Sequence, residues 1–395
     1  KTHHISKNLI ASMTTATRPN PFDAFRTEKG ILTWFGFPVG NDWKGFKILK
    51  GVASIIISVS LMVSMIGRIA LELDNIPLIL EALYFGLTQT TFLCKIFNIL
   101  VCNYKMRRLV DYLKNPLFNQ HTKEQDIFIE RAIRICHIFA NTYRVCVGLT
   151  ITFYAIFPFI EHTLPLPGWF PMDSKKYHYV LYIYHLACLI INGYPHTSLD
   201  CINASMISMA SAQFEVLKDN LNHLIKPNDM KLTIKKQDEI IKKRISKCII
   251  HHNMIIKFVS HIENMYSNVI FIQFLCSIII ICVTGFQVFV MSPSRIQYIT
   301  LVLYFLCNLT QIAIYSWFGH DILAKSGGIG QACYMSEWNN VSPNTRKLLF
   351  IIMERSKIPI ILTAGKFFNL SLNTLMMILR TSYSYLAVLQ QMYKT

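Results

Sequence analysis

Charge is what this sequence has least of. Only 15 % of its 395 residues are Asp, Glu, Lys or Arg, against about 25 % in ordinary soluble domains. With 52 % hydrophobic residues, that shortage excludes a soluble globular chain and points to a membrane protein. Acidic residues are scarcer still, 22 against 39 basic ones, for a formal net charge of +17. Such an excess would suit nucleic acid if it formed one patch. Instead the basic residues recur in blocks between apolar spans, the pattern of an integral membrane protein. No nucleic-acid module is visible. The first 41 residues hold no apolar run of signal-peptide length. Because the chain begins with Lys rather than Met, some native residues are expected to precede Lys1.

The motifs of enzymes are missing too. There is no HExxH and no series of histidine boxes. His3-His4 and His251-His252 are adjacent pairs, and adjacent side chains on a helix point apart. Gly327-Gly328-Ile329-Gly330 lacks the Lys and Ser/Thr of a phosphate loop and follows no strand, so it reads as a turn. No Gly-x-Ser-x-Gly elbow occurs. We therefore expect no enzyme, no metal and no cofactor. The 11 cysteines fall in spans or cytosolic segments, where free buried thiols are expected. No internal repeat and no low-complexity segment is present.

What remains is a series of apolar spans. Six lie at about 46–71, 76–102, 133–160, 177–224, 269–291 and 296–318. The fourth is too long for a bilayer and must project beyond it, and the fifth helix begins in the basic stretch at 226–247. The second carries Glu81 and Lys95, and the third Arg134 and Arg144. Residues 1–46 read as a tail or an interfacial helix near 22–37, 72–75 as an acidic link, and 103–132 as a basic loop. Pro165, Pro167 and Pro171 make 161–176 a non-helical cap, and Ser292-Pro293-Ser294 a tight turn. Ser342-Pro343 starts a separate cytosolic helix at 344–356.

The last span, 369–395, is apolar with a polar stripe. At about 100° per residue, Asn369, Asn373, Arg380, Ser384, Ala387, Gln391 and Lys394 share one narrow face. Polar groups left unsatisfied in hydrocarbon cost several kcal/mol, so this face turns either to water or to other helices. A pore-lining helix and a polar packing seam both satisfy that requirement.

Seven spans put the termini on opposite sides. Placing 1–46, 103–132, 214–262 and 320–365 together gathers 27 basic residues; the alternate loops hold 4. The N-terminus is therefore expected in the cytosol and the C-terminus outside. That is the reverse of a G-protein-coupled receptor, and the Asp-Arg-Tyr and Asn-Pro-x-x-Tyr landmarks of that family are absent as well.

Near the C-terminus, Ser384-Tyr385-Leu386-Ala387-Val388-Leu389-Gln390-Gln391-Met392 resembles the signature of the seventh segment of insect odorant receptors. Gln390 departs from its apolar run and Met392 replaces a frequent Phe. The resemblance extends upstream over Ser336-Glu337-Trp338, 348–353, 362–368 and 370–372. It implies an all-α, seven-transmembrane-helix subunit of a tetrameric, ligand-gated, non-selective cation channel whose seventh helices line one pore. It also implies two regions: 1–320, a six-span bundle with an outer-half ligand pocket, and 321–395, a cytosolic assembly helix plus the pore-lining span. Carried over by motif, the gate falls at Val388, with Ser384, Gln391 and Met392 beside it, and Trp338 sits in the assembly region. The loop between spans four and five is modest, which suits an odorant-tuning subunit partnered by co-receptor subunits in a heterotetramer. The expected setting is the plasma membrane of olfactory neuron dendrites, in lipid, with permeating cations and a small volatile odorant as ligands.

Topology alone suggests a pocket. Outer-half candidates are Tyr84; Gly148, Thr152 and Ala155; His185 and Leu189; and Tyr298, Leu301 and Tyr304. Small residues leave room, and tyrosines add apolar surface with one hydrogen bond each. A gustatory-type channel of the same superfamily is the alternative, and a secondary transporter is a third class, which the missing repeat disfavours.

Overall fold

The structure is a computed structural model. It describes residues 18–40, 45–72, 76–119, 121–227, 229, 232–289 and 295–394. The His3-His4 pair, most of the acidic link and the Ser292-Pro293-Ser294 turn lie outside the described residues.

The main helices are α1 (Arg26–Trp34), α2 (Phe46–Leu71), α3 (Ile76–Val101), α4 (Asn103–Lys114), α5 (Asp126–Glu161), α6 (His178–Asn222), α7 (Ile234–Phe289), α8 (Arg295–Gly327), α9 (Ile329–Met335), α10 (Pro343–Ser356) and α11 (Leu372–Lys394). In α2 the buried positions Ser54, Ser58, Leu61 and Met65 recur at helical spacing, so one stripe meets the bundle and the apolar remainder faces outward. Among the described residues, five helical runs are long and apolar enough to cross a membrane: 46–71, 76–101, 126–161, 234–289 and 297–335. The chain is thus mostly helical, with candidate membrane helices. At about 1.5 Å per residue, the 56-residue α7 reaches far past a hydrocarbon core of about 30 Å.

α6 is the axis of the molecule. Every residue from 195 to 214 is buried. Small side chains (Ser198, Ala204, Ser205, Ser208, Ala210, Ser211, Ala212) let its neighbours approach on all sides. A large cluster of buried apolar residues surrounds this half. A smaller one, with Leu61, Met65, Tyr84, Phe85, Tyr154, Cys188 and Tyr304, occupies the opposite half.

The structure revises several local expectations. Of the two readings of the N-terminal segment, the helix near 22–37 is the one present, and it is docked on the bundle. A 3-10 turn at Pro21–Phe25 leads into α1, whose Glu28 pairs with Arg144 at 3.2 Å, and Ser205 Oγ donates to the Ala24 carbonyl. The basic loop after span two is largely helical: in α4, Met106, Leu109 and Leu113 lie on one buried face and the charges on the other. The glycine-rich turn is only a one-residue break between α8 and α9. The all-α reading gains a two-residue antiparallel ribbon, β1 (Thr363–Ala364) with β2 (Phe368–Asn369).

That ribbon ties α11 to the bundle. Gly365 and Lys366 both have positive φ at the bend. A side chain at Gly365 would strike the Phe271 ring, so only glycine fits there. The Gly365 amide donates to the Ser267 carbonyl at 3.0 Å. A methyl on Gly319 of α8 would overlap the Leu370 backbone.

Candidate ligand cavity and the exposed last helix

A cavity of about 120 Å³ lies between α3, α5, α6 and α8, with Leu61 and Met65 of α2 at its side. Phe85, Tyr154, Tyr304, Ile151 and Leu189 give it an apolar side; Gln89, Asn192, His196, Asn308 and Gln311 give it a polar one. Leu166, from the proline-rich segment, closes one end. That segment is a non-helical cap, as its prolines require. The Leu166 amide donates to His185 Nδ1 at 3.3 Å, and the Trp169 amide to the Ser64 carbonyl at 3.0 Å.

A second chamber of about 390 Å³ borders the first, lined by Glu81, Tyr84, Tyr154, Phe157, Gln287 and Leu301 among others. Tyr154 lines both chambers. Its hydroxyl meets that of Tyr84 at 3.1 Å, and its ring packs edge-on against Phe85. Tyr304 stacks at a tilt on Tyr84 and Phe85. These four rings form the partition between the chambers.

Behind the polar side sits a buried ion pair. Lys95 Nζ lies 2.6 Å from Asp200 Oδ1 and 2.6 Å from His196 Nε2. Asp200 also accepts from Gln311 Nε2 at 2.6 Å and from the Tyr315 hydroxyl. Gln273 of α7 donates to Gln311 Oε1 at 2.8 Å. Four helices thus meet in one network, and a buried charge persists only when so paired and bonded.

The candidate pocket residues fall into three groups. Leu189 and Tyr304 line the inner cavity. Tyr84 and Leu301 line the outer chamber. The others stand apart from both. His185 is buried beneath the cap with the Phe170 ring against it. The Ala155 carbonyl accepts from Tyr182 at 2.6 Å. Gly148 lies against the Tyr194 hydroxyl, Thr152 is exposed and bonded to the Gly148 carbonyl, and Tyr298 is 45 % exposed. Sequence reasoning singles out Lys95 but not its partner Asp200, and it misses Gln89, Thr150, Tyr154, Asn192 and Gln311. Asp200 had a signal of its own, an acidic group inside an apolar helix.

α11 packs through Thr374, Ile378 and Ser382, all buried, with Ser382 Oγ 3.3 Å from the Ile278 carbonyl of α7. Its polar stripe lies elsewhere. Asn369, Asn373, Arg380, Ser384, Ala387 and Gln391 are all exposed, as are Val388 and Met392. The stripe is not a seam within this chain. Trp338, between α9 and α10, is half-buried and packs edge-on against Phe350.

A small chamber with a mostly apolar surface and a few convergent polar groups, set inside a bundle of membrane-length helices, suits a membrane protein that binds a small molecule. Comparison with known proteins narrows the class. The family model described as 7tm Odorant receptor matches residues 75–383. The chain is 22 % identical over 338 residues to Odorant receptor 46a, isoform B, of Drosophila melanogaster, covering 81 % of this chain and 84 % of that one. It is 23 % identical over 356 residues to Odorant receptor Or1 of Anopheles gambiae, covering 81 % and 83 %. The solved structure of the insect olfactory receptor OR5 from Machilis hrabei, determined with and without eugenol, superposes with a TM-score of 0.81 at 15 % identity, over 93 % of this chain and 97 % of that one. The chain belongs to the 7tm odorant receptor family of insects and is an integral membrane protein of olfaction.

Proposed function

We propose that this chain is a ligand-tuning subunit of an odorant-gated, non-selective cation channel, partnered by co-receptor subunits in a heterotetramer. Seven helices (α2, α3, α5, α6, α7, α8 and α11) cross the plasma membrane, with the N-terminus in the cytosol. The chamber between α3, α5, α6 and α8 takes a small volatile molecule, and α11 lines the shared pore. Val388 forms the constriction, with Ser384, Gln391 and Met392 next to it. An apolar ring holds a pore shut by making water unfavourable there, and a Gln ring near the mouth offers dipoles without tight ion binding.

One observation carries this reading: the polar stripe of α11 is uncovered in the single chain, while its opposite face is packed. In hydrocarbon such a stripe needs water or another subunit, and a central pore supplies both. Residues 321–395 then serve assembly and conduction, and 1–320 ligand binding. Exposed apolar side chains on α9 and α10, among them Tyr334, Met335, Phe350 and Ile351, give the cytosolic region a surface for neighbouring subunits around Trp338.

The test is current. Cells expressing this chain alone should be silent to a panel of volatiles, and co-expression of a co-receptor should yield ligand-evoked cation current. Ligand-evoked current from the chain alone would overturn the tuning role and favour the homotetrameric, gustatory-type alternative.

A further inference from the structure

The polar side of the inner cavity is nearly closed on itself. Gln311 donates to Asp200 and faces His196. Asn308 Nδ2 donates to the Tyr304 carbonyl at 3.0 Å, and Thr150 to the Cys146 carbonyl at 2.8 Å. Gln89 Nε2 donates to the Ser58 carbonyl at 3.1 Å. Lys95 lies behind this wall, neutralised by Asp200.

Asn192 is the exception. It lines the cavity, and its Oδ1 faces the Ser58 hydroxyl at 2.6 Å and Gln89 Nε2 at 3.4 Å. Its Nδ2 is buried with no acceptor from the protein in reach. Turned over, the amide would reach the Ser58 hydroxyl, which also lies 2.8 Å from the Ser54 carbonyl, but it would set donor against donor at Gln89 Nε2. Gln89 Nε2 is aimed by the Ser58 carbonyl and needs an acceptor where Asn192 Oδ1 now stands. A buried donor without a partner is costly, and the side chain that carries it lines the inner cavity.

We propose that Asn192 is the donor that selects ligands carrying a neutral acceptor oxygen, the carbonyl of a ketone, aldehyde or ester. The hydrocarbon part then lies against Phe85, Tyr154 and Tyr304. This rests on reading the cavity as the odorant site. A carboxylate ligand finds no cation to pair with, since Lys95 is already engaged. An ammonium ligand would set its donors against that of Asn192. The volume of about 120 Å³ is close to the roughly 150 Å³ of an apolar cavity that holds benzene, so compact rings and short chains fit.

The test uses pairs in which C=O is replaced by C=CH2 at nearly constant shape: cyclohexanone with methylenecyclohexane, and acetophenone with α-methylstyrene. Binding to the purified full chain is read from ligand-dependent thermal unfolding, which needs no gating. In the parent protein each ketone should bind about ten-fold more tightly than its alkene, the size of one hydrogen bond that fills an unpaired donor. Asn192→Leu should bring each pair within about two-fold by weakening the ketone alone. Equal binding of ketone and alkene by the parent, or no binding of the ketones, overturns the proposal. That comparison needs no variant, so it still decides the matter if Asn192→Leu fails to fold. Leu189→Trp fills the cavity. If it abolishes both members of a pair that bind equally, the cavity stands and the donor role falls. If it changes neither, the ligand lies elsewhere and the cavity reading falls with it.

Discussion

α6 and α11 both fall outside the five runs of described residues that are apolar enough to cross a membrane, and they handle their polar residues in opposite ways. Those of α6 are enclosed: Asp200, Ser205, Ser208 and Gln213 all lie inside the bundle. Those of the α11 stripe are turned outward while Thr374, Ile378 and Ser382 are buried. Similar low hydropathy therefore marks two different jobs. In α6 it allows close packing and anchors the wall of a cavity. In α11 it provides a face that this chain alone leaves uncovered.

Breaking the enclosed side should have the largest effect. Asp200→Asn leaves Lys95 buried without its counter-charge, a loss of about 3–5 kcal/mol. Folded receptor recovered by size-exclusion chromatography should fall sharply. Replacing both members, Lys95→Met with Asp200→Leu, should restore much of it. Recovery equal to the parent's from Asp200→Asn would show that the pair is not enclosed as described.

Next comes a matched pair of enlargements. Ala204→Leu in α6 overfills a packed site and should cost about 1–3 kcal/mol. Ala387→Leu, on the stripe of α11, should stay within about 0.5 kcal/mol. Thermal unfolding of the assembled receptor compares them directly. Equal destabilisation would mean that the α11 stripe is packed after all.

A third expectation sharpens the role of the outward face. Val388→Ser should raise current without ligand or change ion selectivity, with half-maximal odorant concentration shifted no more than a few-fold. Gln391→Lys should lower cation current. Leu379→Ser, at a half-buried position packed on the core, should instead reduce folded yield. Parental conduction from both Val388→Ser and Gln391→Lys would remove α11 from the pore.

The smallest effect concerns a region remote from both helices. Hydrogen bonds from the Arg244 guanidinium hold the Asp229 carboxyl below its usual range. A depressed carboxylate stabilises the folded state above the ordinary Asp value of about 3.9 and loses that contribution as pH falls through the folded value. The parent should thus lose stability on acidification below about pH 4, and Asp229→Asn should show a shallower decline. Identical pH profiles would show that the pair contributes nothing to the fold.

Much of this architecture is legible in the sequence. The 46–71 span coincides with α2, and the overlong fourth span with α6, because length and apolar composition are local properties. The α11 stripe could be written down from 100° spacing, but which way it faced could not. The cavity was harder to see. On α5 the inward positions are Tyr143, Val147, Thr150, Ile151 and Tyr154, whereas the candidates Gly148, Thr152 and Ala155 each stand one residue further on, about 100° round the helix. A helix apolar on most sides has no strong phase, so rotation is set by packing partners distant in sequence. Asn192 is invisible for the same reason: its meaning comes from Ser58 and Gln89 on two other helices.

The ribbon at Thr363–Asn369 has a mechanical consequence. With Gly365 seated against α7 and Leu370 against Gly319 of α8, the start of α11 is clamped on two sides, while packing thins toward its far end. Such a helix behaves as a cantilever. Deflection is near zero at Leu372 and grows along its length, so a tilt of about 5° carries Val388, about 24 Å away, through roughly 2 Å. Small rearrangements of α7 and α8 would then become displacements of side-chain size at the far end of α11.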